Sequence, residues 1–179
     1  INQVGAYISI NLGGYFVIGG SQKALNILLK KLPAIDDFPF QIPFHAAFHT
    51  PLMREVSKIA MKKIPLSYFE QPKIPLINGQ GQIYMPHSAD KNELRNYTLT
   101  SQVLSFYDFT ASIEVALKEF CPDNIVLLGP GNTLGGSIGQ ILIKNNWLNI
   151  KSKEGFIQLQ KQKPFLISMG DKKQRIFLF

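Results

Sequence analysis

The stretch Ala46-Ala47-Phe48-His49-Thr50-Pro51-Leu52-Met53 sets a histidine one residue ahead of a marked helix start. Thr50 suits the N-cap, because its hydroxyl can accept from a free backbone N–H of the first turn. Pro51 suits the first helical position, where its missing N–H leaves nothing unpaired. Leu52, Val56, Ile59, Ala60 and Lys63 follow at helical spacing, which predicts a helix held in place by an apolar face. His49 then stands on a rigid corner, a setting that suits a general base. The competing reading is a buried histidine satisfied by the backbone, and the local sequence leaves both open.

Upstream of this corner, Tyr7-Ile8-Ser9-Ile10 and Tyr15-Phe16-Val17-Ile18 read as strands around the permissive turn Asn11-Leu12-Gly13-Gly14. Ala24, Leu25, Leu28, Leu29 and Leu32 mark a helix that Pro33 ends, and Pro39 to Phe44 reads as a third strand. Strand, strand, helix and strand make a β-β-α-β unit like a piece of a ferredoxin-like subdomain. Downstream, Lys73 to Ile77 reads as a strand closed by Asn78-Gly79. Asp90 and Glu93 form a capping-box pattern for a helix to about Gln102. Asp108 can cap a helix with the face Phe109, Ile113, Ala116, Leu117 and Phe120. Asn124 to Leu128 reads as a buried strand before Gly129-Pro130-Gly131, and Leu134, Ile138, Ile141 and Leu142 define the next helix. Strands alternating with helices predict an α/β architecture with a partly parallel sheet. Residues 151 to 179 read as a strand-rich or extended appendix.

Composition narrows the class. With 45% hydrophobic and 17% charged residues, the chain is that of a globular domain and not of a disordered segment. Its 179 residues suffice for one domain or slightly more. No apolar run approaches a membrane span, and the first residues do not form a signal peptide. The chain opens at Ile1 and reads at once as strand, as expected of a piece of a longer polypeptide. One cysteine, Cys121, excludes an internal disulfide and suits a structural position, and the cytoplasm is the expected compartment. Three histidines and one cysteine without ligand spacing predict no metal site, and His45 and His49 are not expected to share a face.

The net charge of +7 is uneven, since residues 144 to 179 hold eight basic and two acidic residues, or +6 of it. No nucleic-acid motif accompanies the lysines, so a solvated surface is the first reading and an acidic protein partner the second. Gly135-Gly136-Ser137-Ile138-Gly139 matches the G-x-S-x-G elbow, but Ser137 falls inside a predicted helix, beyond the strand-to-helix turn that the elbow requires. Ser21 lacks the closing glycine and reads as a helix cap. The chain thus offers a candidate base without a convincing nucleophile.

Four segments, in order, resemble the C-terminal half of malonyl-CoA:acyl-carrier-protein transacylases and related acyltransferase domains of fatty-acid and polyketide synthases. Asn11 to Gly20 is similar to the hairpin N-x-P-x-Q-x-V-I-S-G. Ala47 to Met53 looks like the A-F-H-S-P-L-M block. Leu99 to Gln102 with Phe109 to Ile113 resembles L-x-x-Q-L…V-x-W-x-x-S-I, and Leu128 to Leu134 resembles V-G-P-G-x-x-L. The resemblance implies an α/β fold: a fragment of an α/β-hydrolase-like acyltransferase with a ferredoxin-like small subdomain. Residues 1–47 would be part of that subdomain, 48–150 the C-terminal part of the α/β acyltransferase subdomain, and 151–179 a basic C-terminal extension.

The same resemblance implies transfer of a malonyl group from coenzyme A to the phosphopantetheine thiol of an acyl carrier protein. His49 matches the histidine that activates the family's serine and then the incoming thiol, and Gln102 the residue whose backbone carbonyl orients the imidazole. Phe48 looks like a malonyl-type signature, its ring filling the space of an α-methyl branch, although it also reads as plain core. Asn11 matches a hairpin asparagine near the substrate channel. The partners implied are malonyl-CoA and acyl carrier protein, without nucleic acid, membrane, metal or tightly bound cofactor. The family's serine elbow, its malonyl-binding arginine and its oxyanion-hole glutamine belong to the N-terminal half, so these 179 residues by themselves are expected to be inactive. Gly13 and Tyr15 replace the hairpin's proline and glutamine. Alternatives are a polyketide acyltransferase of other acyl preference, or a non-catalytic acyltransferase-like scaffold that binds carrier protein.

Overall fold

The computed structural model of the protein describes residues 1–178. The chain divides into two compact units, one of Ile1–Asn11 and Phe16–Asp108, the other of Leu12–Tyr15 and the chain from Phe109 onward.

β1 (Ala6–Leu12) and β2 (Tyr15–Gly20) are neighbours in one sheet, joined by Gly13 and Gly14, so β1 extends two residues into the expected turn; all but the tip, Leu12–Tyr15, belongs to the first unit. The Ser21 hydroxyl accepts from the Ala24 N–H at 3.2 Å and starts α1 (Gln22–Lys31), as its reading as a cap requires. Ala6, Ala24 and Leu28 bury one another there, with Val4 and Ile18 against them. The expected strand from Pro39 to Phe44 does not form. Ile35 and Phe38 make an isolated bridge, and Phe40, Ile42 and Phe44 stay exposed. Pro39 and Pro43 lack the N–H groups that a ladder needs, so this run cannot pair as an inner strand.

Past the His49 corner, Thr50 caps a 3₁₀ turn, Pro51–Met53, which leads into α2 (Arg54–Lys63). The apolar face expected to hold α2 is not the face that is buried: Leu52, Val56 and Ile59 are half-exposed. Met53 and Ser57 turn inward instead, and the Ser57 hydroxyl donates to the Leu99 carbonyl at 2.6 Å. Arg95 finishes the helix, donating to the Met61 and Ile64 carbonyls at 2.5 and 3.0 Å. The strand expected over Lys73 to Ile77 shortens to β3 (Leu76–Ile77), paired antiparallel with β4 (Ile83–Tyr84). Asp90 caps α3 (Lys91–Asn96), accepting from the Asn92 N–H at 2.7 Å. A π-helical stretch, Tyr97–Ser101, carries the helix on to α4 (Gln102–Leu104). β5 (Tyr107–Asp108) then pairs parallel with β1, Ile10 opposite Tyr107 and Asn11 opposite Asp108. The sheet order is β2-β1-β5, so its third strand comes from residues 107 and 108 and not from 39 to 44.

The second unit holds α5 (Phe109–Phe120), β6 (Ile125–Leu127), α6 (Leu134–Lys144), α7 (Lys153–Gln162), β7 (Leu166–Ser168) and α8 (Lys172–Arg175). Leu117, Ile138, Ile141, Leu142, Ile150, Phe165 and Leu166 form its core. The strand-rich or extended appendix expected after residue 150 holds a single strand between helices α7 and α8, with β7 parallel to β6. Ser152 starts α7 by accepting from the Gly155 N–H at 3.1 Å. Gln160 ties α7 to β7: its Oε1 accepts from the Phe165 and Leu166 N–H groups at 3.0 Å, and its Nε2 donates to the Leu166 carbonyl at 2.7 Å. No helix among the described residues is long and apolar enough to cross a membrane.

Candidate active site

Four sets of contacts in the first unit fasten the corner at His49. The Ser9 hydroxyl on β1 donates to the Phe48 carbonyl at 2.8 Å. The Thr50 hydroxyl donates to the Ala47 carbonyl at 2.6 Å and accepts from the Leu52 N–H at 3.3 Å, and Thr50 is fully buried. Gly19 on β2 leaves room for this corner, since a Cβ there would lie 2.8 Å from the Thr50 methyl and 3.2 Å from the Ala47 side chain. The fourth fastening is the imidazole itself, whose Nδ1 bonds the Gln102 backbone carbonyl.

That bond determines the chemistry of the ring. A carbonyl oxygen only accepts, so Nδ1 carries the proton and the neutral imidazole keeps its lone pair on Nε2. The Gln102 carbonyl is free for this because α4 stops at Leu104. Ser105 is extended and its N–H takes the Ser101 carbonyl at 2.9 Å, so Gln102 is left with an end-of-helix carbonyl. His49 has a φ of 58°, in the left-handed region. That conformation costs on the order of 1 to 3 kcal/mol for a residue other than glycine and persists only where the surroundings enforce it. The four fastenings supply that enforcement. The ring of Tyr107 lies 5.1 Å from the imidazole, centroid to centroid, at 50°.

Phe48 is 40% exposed, with its ring edge-on to His45 at 5.8 Å, so it is not the plain core residue that composition allowed. Asn11 donates from Nδ2 to Asp108 Oδ1 at 2.9 Å, across the β1–β5 pair. Ser137 sits within α6 and is buried, as its reading as a helix residue requires. Cys121 is exposed. Among the described residues no group of three or more His, Cys, Asp or Glu side chains could hold a metal ion. Ser9, Gly19, Gly79 and Tyr107 are not among the residues to which the sequence assigns a role at the site, because each acts on a partner remote in the chain. The alternation of Ser9 along β1 was the one signal that could have drawn notice.

No family model matches the chain, and no curated protein matches it by sequence. Among solved structures it is similar to the malonyl-CoA:ACP transacylase of Synechocystis sp. PCC 6803, with a TM-score of 0.64 and 16% identity. The match covers 97% of this chain and 52% of that one. The likeness is one of fold. The chain has an α/β fold like that of the transacylase and spans about half of that protein's length.

Proposed function

We propose that the chain is the histidine-bearing half of an acyltransferase of the malonyl-CoA:ACP transacylase type, with His49 as general base and Gln102 as its orienter. The observation that carries this is the His49 Nδ1 bond to the Gln102 carbonyl, in a fold like that of a transacylase. The nucleophilic serine belongs, in this reading, to polypeptide outside the 179 residues. Nε2 takes the serine proton as Oγ attacks the thioester carbonyl, and returns it to the departing coenzyme A sulfur as the tetrahedral adduct collapses. In the second half-reaction Nε2 takes the proton of the phosphopantetheine thiol, whose sulfur attacks the acyl-serine, and hands it back to Oγ. A backbone carbonyl in place of a carboxylate fixes the tautomer without adding a negative charge beside the ring.

Malonyl is the acyl group this reading favours, with Phe48 beside the base and too bulky to leave room for an α-methyl branch. Asn11 is assigned to the substrate channel. The acidic partner for the exposed lysines of residues 144 to 173 is acyl carrier protein, and the pathway is fatty-acid or polyketide synthesis.

The test is intact-protein mass spectrometry of the natural polypeptide that contains these residues, incubated with malonyl-CoA. A malonyl adduct that disappears on adding carrier protein is the expected result, and no adduct in folded protein overturns the reading. His49→Ala is expected to reduce transfer by about 10³-fold or more while carrier-protein binding persists. Unchanged transfer would leave the scaffold reading. Phe48→Ser is expected to raise the use of methylmalonyl-CoA relative to malonyl-CoA by roughly 10-fold, the order of one methyl group's discrimination.

A further inference from the structure

We infer that Tyr107 is a positioning residue for His49, its ring holding the imidazole in the plane in which Nδ1 meets the Gln102 carbonyl. The inference rests on the reading of His49 as the base. Two restraints act on the imidazole. The hydrogen bond to Gln102 restrains how far Nδ1 lies from the carbonyl oxygen, but one such bond leaves coupled rotations about Cα–Cβ and Cβ–Cγ open. The tilted contact with the Tyr107 ring, at 5.1 Å and 50°, removes that freedom.

The tyrosine ring is itself seated. It lies on the backbone of Gly79, where an added Cβ would come within 2.3 to 2.6 Å of three ring atoms. Gly79 has no positive φ, so glycine is needed there for space and not for backbone conformation. The Gly79 carbonyl accepts from the Asp108 N–H at 2.7 Å, and the Gly79 N–H donates to the Tyr97 hydroxyl at 2.7 Å. Asn78 stiffens the same turn, its Oδ1 accepting from the Gln80 and Gln82 N–H groups at 2.9 and 3.0 Å. β5 pairs with β1 and sets the Cα of Tyr107 opposite Ile10. With the Gly79 backbone against it and its own strand held in a ladder, the Tyr107 ring has little room to shift. Packing alone would need an apolar residue of that size. It would not need a turn emptied of its side chain at the point where the ring lies.

The measurement is NMR of the protein labelled with ¹⁵N in its histidines, reading the tautomer of His49 and the contacts of its ring protons, in wild type and in Tyr107→Phe, Tyr107→Leu and Gly79→Ala. Wild type and Tyr107→Phe are expected to show one Nδ1-protonated neutral form and a nuclear Overhauser contact between the two rings. Tyr107→Leu removes the aromatic face, and Gly79→Ala displaces it from a residue that does not touch His49. Both are expected to shift the signal towards a mixture of tautomers. Transfer in the natural polypeptide is expected to fall about 10- to 100-fold in kcat in these two variants, with KM for malonyl-CoA unchanged.

Absence of the ring-to-ring contact in wild type overturns the inference, whatever the variants do. A wild-type tautomer signature in either variant, in folded protein, overturns it as well. The tautomer readout does not depend on catalysis. A protein that shows it but forms no malonyl adduct refutes the acyltransferase reading and leaves the positioning of His49 by Tyr107 standing.

Discussion

The core of the second unit and the His49 corner of the first are held by different interactions. In the second unit, Leu117, Ile138, Ile141 and Leu142 are buried to within 1% of completely, and large apolar side chains meet from helices α5 and α6. Around His49 no comparable cluster exists among the described residues. The corner is fastened by the Ser9 and Thr50 hydroxyls and by the Gln102 carbonyl, and Leu52, Val56 and Ile59 lie half-exposed in the turn and helix that follow. Apolar packing tolerates sliding and small rotations, because its energy depends on area. A set of hydrogen bonds to named carbonyls does not, because each is directional. The two regions divide the labour: large apolar burial holds the second unit together, and directional bonds place one ring in the first.

The apolar core of the second unit is the costliest to disturb. Leu142→Ala is expected to destabilise the protein by about 2 to 5 kcal/mol, through lost burial and the cavity left behind. Urea unfolding measures it, and a loss below about 1 kcal/mol would mean that the cluster is not the main source of stability. Thr50→Ala should cost less, about 1 kcal/mol, the usual worth of an N-cap. It sharpens the contrast if transfer falls by a larger factor than that stability loss implies, and weakens it if activity and stability decline together.

The smallest effect concerns Glu114 in the second unit. Hydrogen bonds from Asn145 Nδ2 at 3.0 Å and Lys144 Nζ at 3.1 Å hold its carboxyl below the ordinary glutamate value. The folded state therefore gains stability from the ionised form. That gain is complete above the unfolded value of 4.5 and is lost as pH falls through the lowered folded one. The pair is partly exposed, so the gain is small. Glu114→Gln is expected to flatten the fall in unfolding midpoint on the acid side of pH 4.5 and to leave neutral pH nearly unchanged. A variant with the acid sensitivity of wild type would assign that sensitivity elsewhere.

Much of the architecture was legible before any coordinates. Ser21, Thr50 and Asp90 cap helices as their residue types suggest, and α6 carries the periodicity of Leu134, Ile138, Ile141 and Leu142. Other elements misled. Pro39 to Phe44 has strand-like residues but prolines where ladder donors are needed. The stripe of Leu52, Val56 and Ile59 marks a helix correctly and its buried face wrongly. Periodicity shows that one face is apolar, but which face is covered depends on what packs there, and here Ser57 reaches Leu99 instead. Residues 151 to 178 look strand-rich or extended, yet only Leu166–Ser168 form a strand there, and Phe156 and Leu159 pack against the core from α7.

What is local in this fold can be read along the chain. Capping hydroxyls, prolines and glycines act within about four residues of their own position, through hydrogen bonds and allowed backbone angles that the chain carries everywhere it goes. It therefore placed the hairpin, the caps and His49 one residue before a helix. Only the tertiary structure decided that β5 is the third strand, that β7 joins β6, and that Ser9, Gly19 and Tyr107 close around His49. Even the Gln102 carbonyl, named in advance through resemblance, became available to His49 because α4 stops at Leu104 beside a corner 53 residues earlier in the chain. Such contacts follow from which surfaces are buried together, a property of the assembled fold that no window of sequence contains.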